Sequence, residues 1–183
     1  MFDIESKNPD EITITTKKTS VTFNVAQGIV DANLKVGKIQ GPGEFEIGDV
    51  SIRALGVGPQ AASAEKAANS SEAEVDTKSE EKPSPVVAFD PREAKTIYDV
   101  EIGGVHVGII GGCEEGLDNL GMVGVLCTSS VRAVREVEPK LVVAMGNVDG
   151  MVTDLKLTAR TEKKLKIKNA DALPLALEVV VLN

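Results

Sequence analysis

The chain has 183 residues, a formal net charge of −8, 42% hydrophobic residues and 26% charged ones. These proportions belong to folded proteins and exclude wholesale disorder, while the acidity disfavours a nucleic-acid or anionic-membrane footprint. The length supports one sizeable core, so residues 1–183 are expected to form a single domain.

The start, MFDIESKNPDE, holds no apolar leader, and no stretch approaches the roughly 18–20 apolar residues of a membrane span. The chain is expected to be neither exported nor membrane-spanning. Next, EITITTKKTSVTFNV (11–25) alternates Ile12 and Ile14, then Val21, Phe23 and Val25, around a polar centre, the pattern of a β-hairpin. Residues 26–40 form a mixed connector ending at GPGEFEIGDVSI (41–52). There Pro42 withholds a backbone donor, and Gly41 and Gly43 permit dihedrals that other residues avoid. Gly41, Pro42, Gly43 and Glu44 are therefore expected to make a structural turn that feeds a strand at 50–55.

Residues 59–85 hold Val75 as their one strongly apolar residue among Ala, Ser, Glu, Lys and Pro. Such a stretch cannot offset its ordering entropy, which predicts a low-complexity acidic, disordered insertion loop. In TIYDVEIGGVHVGII (96–110), Tyr98, Val100 and Ile102 mark one face, Gly103-Gly104 supplies the turn, and Val105, Val107 and Ile109 continue on the return strand. VGVLC (123–127) reads as a buried strand, SSVRAVREVEP (129–139) as a helix with a serine N-cap and a proline stop, and LVVAM (141–145) as another buried strand. Strand, helix, strand is a βαβ unit, and continuous apolar strands predict a sheet covered on both faces. Further on, 163–168 alternates Leu165 and Ile167 with lysines, the wet face of an amphipathic strand, and EVVVLN closes the chain as a last strand.

The chain has a single histidine, His106, placed opposite Val105 and Val107 in mid-strand. One imidazole cannot furnish the usual ligands of a catalytic zinc, and no GxSxG elbow supports a His-dependent triad. GIIGGCEEG (108–116) is glycine-rich but fits neither GxGxxG nor a P-loop, which leaves a tight turn. Cys113 lies beside Glu114 and Glu115, acidic neighbours that blunt a thiolate, and Cys127 ends an apolar strand. With no CxxC between them, the two cysteines predict a reduced, cytoplasmic setting. Glu44, Glu46 and Asp49 could hold a hard cation weakly if they converged, though no EF-hand spacing is present.

The order of motifs GPGEFEIGDVSIRALG, KTIYDVEIGGVHVGIIGG, VREVEPKLVVAMGN and LKIKNADALPLALEVVVL resembles the small metallo-β-lactamase-fold proteins of the L-ascorbate-phosphate-lactonase-like branch. The resemblance covers roughly 38–57 and 95–183. It implies an α+β or α/β fold, the four-layer αββα sandwich, here truncated and missing peripheral elements, because 147–163 looks shortened where relatives carry a helix. Members of that family carry an HxHxDH run before GPGE, and 26–40 holds no histidine. Their bridging aspartate corresponds to Gly112, their final histidine ligand to Gly146, and the Asp-Pro after the first hairpin to Asn24-Val25.

The resemblance thus implies the fold without its zinc. No catalytic residue, metal ligand or cofactor is expected, only a vestigial pocket of Gly112, Cys113, Glu114, Gly146, Asn147 and Asp149. The leading expectation is a catalytically inactive binding or assembly module that forms a homo-oligomer to cover apolar surface, with a protein partner left open and no nucleic acid or membrane involved. Two alternatives stand beside it. One is a hydrolase with relocated, non-zinc or weak-metal chemistry in the vestigial pocket; the other is a small-ligand sensor in which 59–85 folds over that pocket.

Overall fold

The computed structural model describes residues 1–27, 29–32, 38–57, 95–146 and 148–183. The expected loop at 59–85 and the site residue Asn147 lie outside the described residues. Alternating apolar side chains build the first strands: Phe2–Asn8 (β1), Glu11–Thr15 (β2), Ser20–Asn24 (β3), Ile29–Asp31 (β4) and Lys38–Gln40 (β5). Then come Gly43–Ile47 (β6), Val50–Val57 (β7), Lys95–Ile102 (β8), Val105–Gly111 (β9), Val125–Thr128 (β10), helix Val131–Val137 (α1) and Leu141–Ala144 (β11). Helix Val148–Leu155 (α2), Ala159–Glu162 (β12), Leu165–Ile167 (β13) and Glu178–Leu182 (β14) complete the order.

Two sheets form. The first, ordered β13-β1-β2-β3-β4-β5, is antiparallel throughout. The second, ordered β12-β14-β11-β10-β9-β8-β7-β6, is parallel from β12 to β9 and antiparallel from β9 to β6. The hairpin at 11–25 stands as read, and the one at 96–110 turns on Gly103 and Gly104, whose φ values are 57° and 78°.

The core explains the alternation. Ile4, Ile12, Ile14, Val21 and Phe23 of the first sheet face Ile52, Tyr98, Val100, Val107, Ile109, Cys127 and Val143 of the second, all buried in one cluster. Fully burying each such aliphatic or aromatic side chain contributes about 1.5–3 kcal/mol, so this inter-sheet layer dominates stability. A second cluster lies on the far face of the second sheet, where Ile97, Ile110, Leu126 and Val142 meet Ala133 and Val134 of α1 and Met151 of α2. This is why β10 and β11 read as continuous apolar runs: both of their faces are covered. Burial with no compensating partner pushes the Cys127 thiol up to about 12.

Three sequence expectations change. Residues 26–40 are more than a connector, because β4 and β5 pair there and extend the first sheet. The GPGE run is not all turn: Gly43 and Glu44 already belong to β6, which pairs with β7 from Gly43↔Ala54 to Ile47↔Val50. Where 147–163 was expected to be shortened at the place of a helix in relatives, residues 148–155 do form a helix, α2, followed by strand β12. Among the described residues the helices cover only the second sheet, so sheet, sheet and helix make three layers, and the fourth layer of the expected sandwich is not among them.

Candidate functional site

Gly112 and Gly146, the positions that the resemblance matches to metal ligands, lie just past the ends of β9 and β11, and the structure brings them together. Ser129 N–H donates to the Gly111 carbonyl at 2.9 Å, and Met145 N–H to the Thr128 carbonyl at 2.9 Å, which aligns the carboxyl ends of β9, β10 and β11. A Cβ on Gly112 would lie 3.2 Å from Ser129 Oγ, and one on Gly146 would lie 3.8 Å from Ser129 Cβ. Gly112 and Gly146 therefore flank Ser129, all three exposed. Gly111, at φ 56°, brings its Cα close to the end of β3, where an added Cβ would meet Val25 Cβ at 3.2 Å.

The other expected pocket residues turn elsewhere. Cys113 is buried in the helix-side cluster, its thiol donating to the Glu115 carbonyl at 3.7 Å. Ser130 Oγ donates to Glu114 Oε1 at 2.6 Å and caps α1 by accepting the Ala133 N–H at 3.1 Å. The other Glu114 oxygen lies 3.9 Å from Arg132 Nη1. Asp149 is exposed in the first turn of α2. So the junction unites Gly112 and Gly146, while Cys113 and Glu114 serve packing and capping.

A second arrangement, missed at the sequence level, lies on the helix side of the second sheet beyond the helices. Cross-strand register sets Glu46, Ser51, Glu101 and His106 in one row, and Glu44, Arg53, Asp99 and Gly108 in the next. Asp99 is only 8% exposed. Arg53 Nη2 donates to Asp99 Oδ2 at 2.9 Å and also to the Asn119 carbonyl at 2.8 Å. His106 Nδ1 lies 3.2 Å from Asp99 Oδ1; because a carboxylate only accepts, Nδ1 carries the proton of this contact. Glu44, Glu46, Ser51, Glu101 and these three residues line an open basin of about 380 Å³. The signal was legible in principle, since Asp99 and His106 share outward parity across the Gly103-Gly104 turn.

The GPGE run borders this basin. Pro42 packs against Gly56, whose added Cβ would sit 3.6 Å from the proline ring, and Gly43 takes φ 155° with Phe45 folded over it. Gly41 is at φ 92°. Asp49, a weak cation ligand only if it converged with Glu44 and Glu46, accepts from Thr16 Oγ1 at 2.6 Å and ties the β6–β7 turn to the first sheet.

No protein-family model matches the chain, and no curated protein matches its sequence. Among solved structures, it is similar to a protein of Thermotoga maritima described as a candidate Zn-dependent hydrolase of the metallo-β-lactamase superfamily. The TM-score is 0.61 at 11% identity, and the match spans 100% of each chain. At that identity the likeness shows a shared fold: an antiparallel sheet facing a mixed one.

That superfamily's metal can be tested against the residues at the junction. Zinc draws its donors from cysteine, histidine and carboxylate, whereas the junction presents Gly112, Ser129 and Gly146, with Glu114 held by Ser130 and Arg132. The lone imidazole is second in β9, six residues before Gly112 and about 20 Å away at roughly 3.3 Å per residue. Among the described residues no three His, Cys, Asp or Glu side chains converge as a metal site. The described residues at the junction do not fit zinc. Among the described residues, too, no helix is long and apolar enough to cross a membrane.

Proposed function

We propose that this chain is a catalytically inactive metallo-β-lactamase-fold protein that serves as a binding or oligomeric assembly module, a degenerate relative of the L-ascorbate-phosphate-lactonase-like branch. One observation carries the reading. At the junction of β9, β10 and β11, where the resemblance implies an aspartate and a histidine, Gly112 and Gly146 flank Ser129, and the chain's one histidine is bound to Asp99 on another face. Hydrolysis of the fold's usual kind depends on an ion that acidifies water and polarises the substrate. Glycine supplies neither a ligand nor a proton acceptor, so the fold persists as a scaffold. Elemental analysis of protein purified without chelator, with a phosphodiesterase and lactonase screen, tests this. Far less than one zinc per chain and no turnover are expected; stoichiometric zinc with turnover would overturn it.

A second reading, a small-ligand module, has the basin around Asp99 in its favour, since its volume of about 380 Å³ falls within the range of ligand pockets. A ligand there would shift the resonances of His106 and Arg53 in a fragment titration, and unshifted resonances at both across a fragment library would remove this reading.

A further inference from the structure

Each sheet ends in an edge strand of opposite charge. At one side of the sandwich β6 closes the second sheet, and at the other β13 closes the first; among the described residues neither has a second neighbour. In β6, Phe45 and Ile47 face the inter-sheet core while Glu44 and Glu46 are exposed. In β13 and the residue after it, Leu165 and Ile167 are buried and Lys166 and Lys168 are exposed. Among the described residues none of these four charged side chains has an ion-pair partner. Arg53, the cross-strand neighbour of Glu44, is already committed to Asp99 and the Asn119 carbonyl.

Unpaired edges are templates for another strand, and charge on an edge decides which strand is refused. Two copies of β6 would set glutamate against glutamate, and two copies of β13 lysine against lysine, each repulsive. The unlike pair is permitted at every position. Laid antiparallel, Glu44 meets Lys168, Phe45 meets Ile167, Glu46 meets Lys166 and Ile47 meets Leu165, so charges oppose charges and apolar residues share the inner face. Resting on the assembly reading above, we infer that a second copy of this chain docks its β13 edge onto the β6 edge of the first, a head-to-tail contact that propagates from copy to copy.

The contact is short, so it belongs to the weak, salt-sensitive class of interfaces. Light scattering on the full chain in low salt, up to about 100 µM, should give a mass that rises with concentration and falls on adding salt. The double variants Glu44→Lys/Glu46→Lys and Lys166→Thr/Lys168→Thr each change exposed side chains only, and circular dichroism and thermal melting verify that they fold. Each should self-associate about tenfold more weakly than the unmodified chain. Mixed together they retain one intact β13 edge and one intact β6 edge, so they should form a complex that stops at two chains. Association of either variant as strong as that of the unmodified chain, or no complex on mixing, overturns the edge contact while leaving assembly through another surface standing. An unmodified chain that stays monomeric throughout overturns both.

Discussion

Replacing Tyr98 by phenylalanine should stabilise the fold. Tyr98 is 1% exposed between the two sheets, and its hydroxyl has no hydrogen-bond partner among the described residues. Its ring meets Phe23 edge-on, with centroids 5.3 Å apart, a contact that phenylalanine preserves. The substitution removes a desolvated hydroxyl whose burial costs about 1–3 kcal/mol. The oxygen-sized gap it leaves takes back part of this, so the net gain is about 1–2 kcal/mol. At about 2–4 °C per kcal/mol for a chain of this size, calorimetry should show a midpoint higher by about 2–8 °C. The same burial pushes the Tyr98 hydroxyl from 10.0 up to about 12. Because the folded state holds this proton more tightly than the unfolded state, the associated stability is intact below pH 10 and is lost as pH rises toward 12. Tyr98 is the only tyrosine and there is no tryptophan, so the tyrosinate absorbance follows this one group. A lowered or unchanged midpoint in Tyr98→Phe, or ionisation near the ordinary value in the folded protein, would refute the reasoning.

Gly43→Val should cost about 1–3 kcal/mol in urea unfolding, because Gly43 sits at φ 155° and an added Cβ would stand 2.9 Å from the Phe45 ring; an unchanged urea midpoint would contradict a special backbone role. Arg53→Met should cost about 1–3 kcal/mol by leaving Asp99 without its guanidinium, and adding Asp99→Asn should recover part of the loss. Additive effects in that double-mutant cycle would mean that the two side chains are not coupled. Ser130→Ala should cost about 1 kcal/mol as a lost N-cap, and a stability equal to that of the unmodified chain would deny Ser130 that role.

Where each apolar face repeats locally, the fold was legible. Ile12, Ile14, Val21 and Phe23 announce a hairpin in their spacing, and the Gly103-Gly104 turn fixes the register of the next one. Helix α1 could be placed because Ser130 and Pro139 mark its ends. The short strands β4 and β5 could not, since three residues carry too little periodicity and their stability comes from pairing at the edge of a sheet. Gly41 and Gly43 obscured β6: glycine reads as turn, yet Gly43 is already paired with Ala54. The α2 segment, VDGMVTDL, is hidden by an internal glycine; Met151 is its one fully buried residue, with Val148, Val152 and Leu155 packed partly buried against the same cluster. At the candidate site, Gly112 and Gly146 were traced from motif order, and their meeting at Ser129 followed from parallel pairing of β9, β10 and β11. The pairing of Asp99 with His106 is readable from their shared parity across the Gly103-Gly104 turn, but the place of Arg53 beside Asp99 is not, because 46 positions separate the two. Glu114 was assigned to a pocket on adjacency in sequence, whereas the start of α1 claims it through Ser130.

Native mass spectrometry of the protein as purified, from low salt and without chelator, reads metal content and assembly state in one experiment. A metal-free mass, with species of two or more chains that diminish as salt is added, is the predicted spectrum. A stable single chain carrying zinc in fixed stoichiometry would mean that a centre is built from residues other than Gly112, Ser129 and Gly146, and the reading of this fold as a silent scaffold would be wrong.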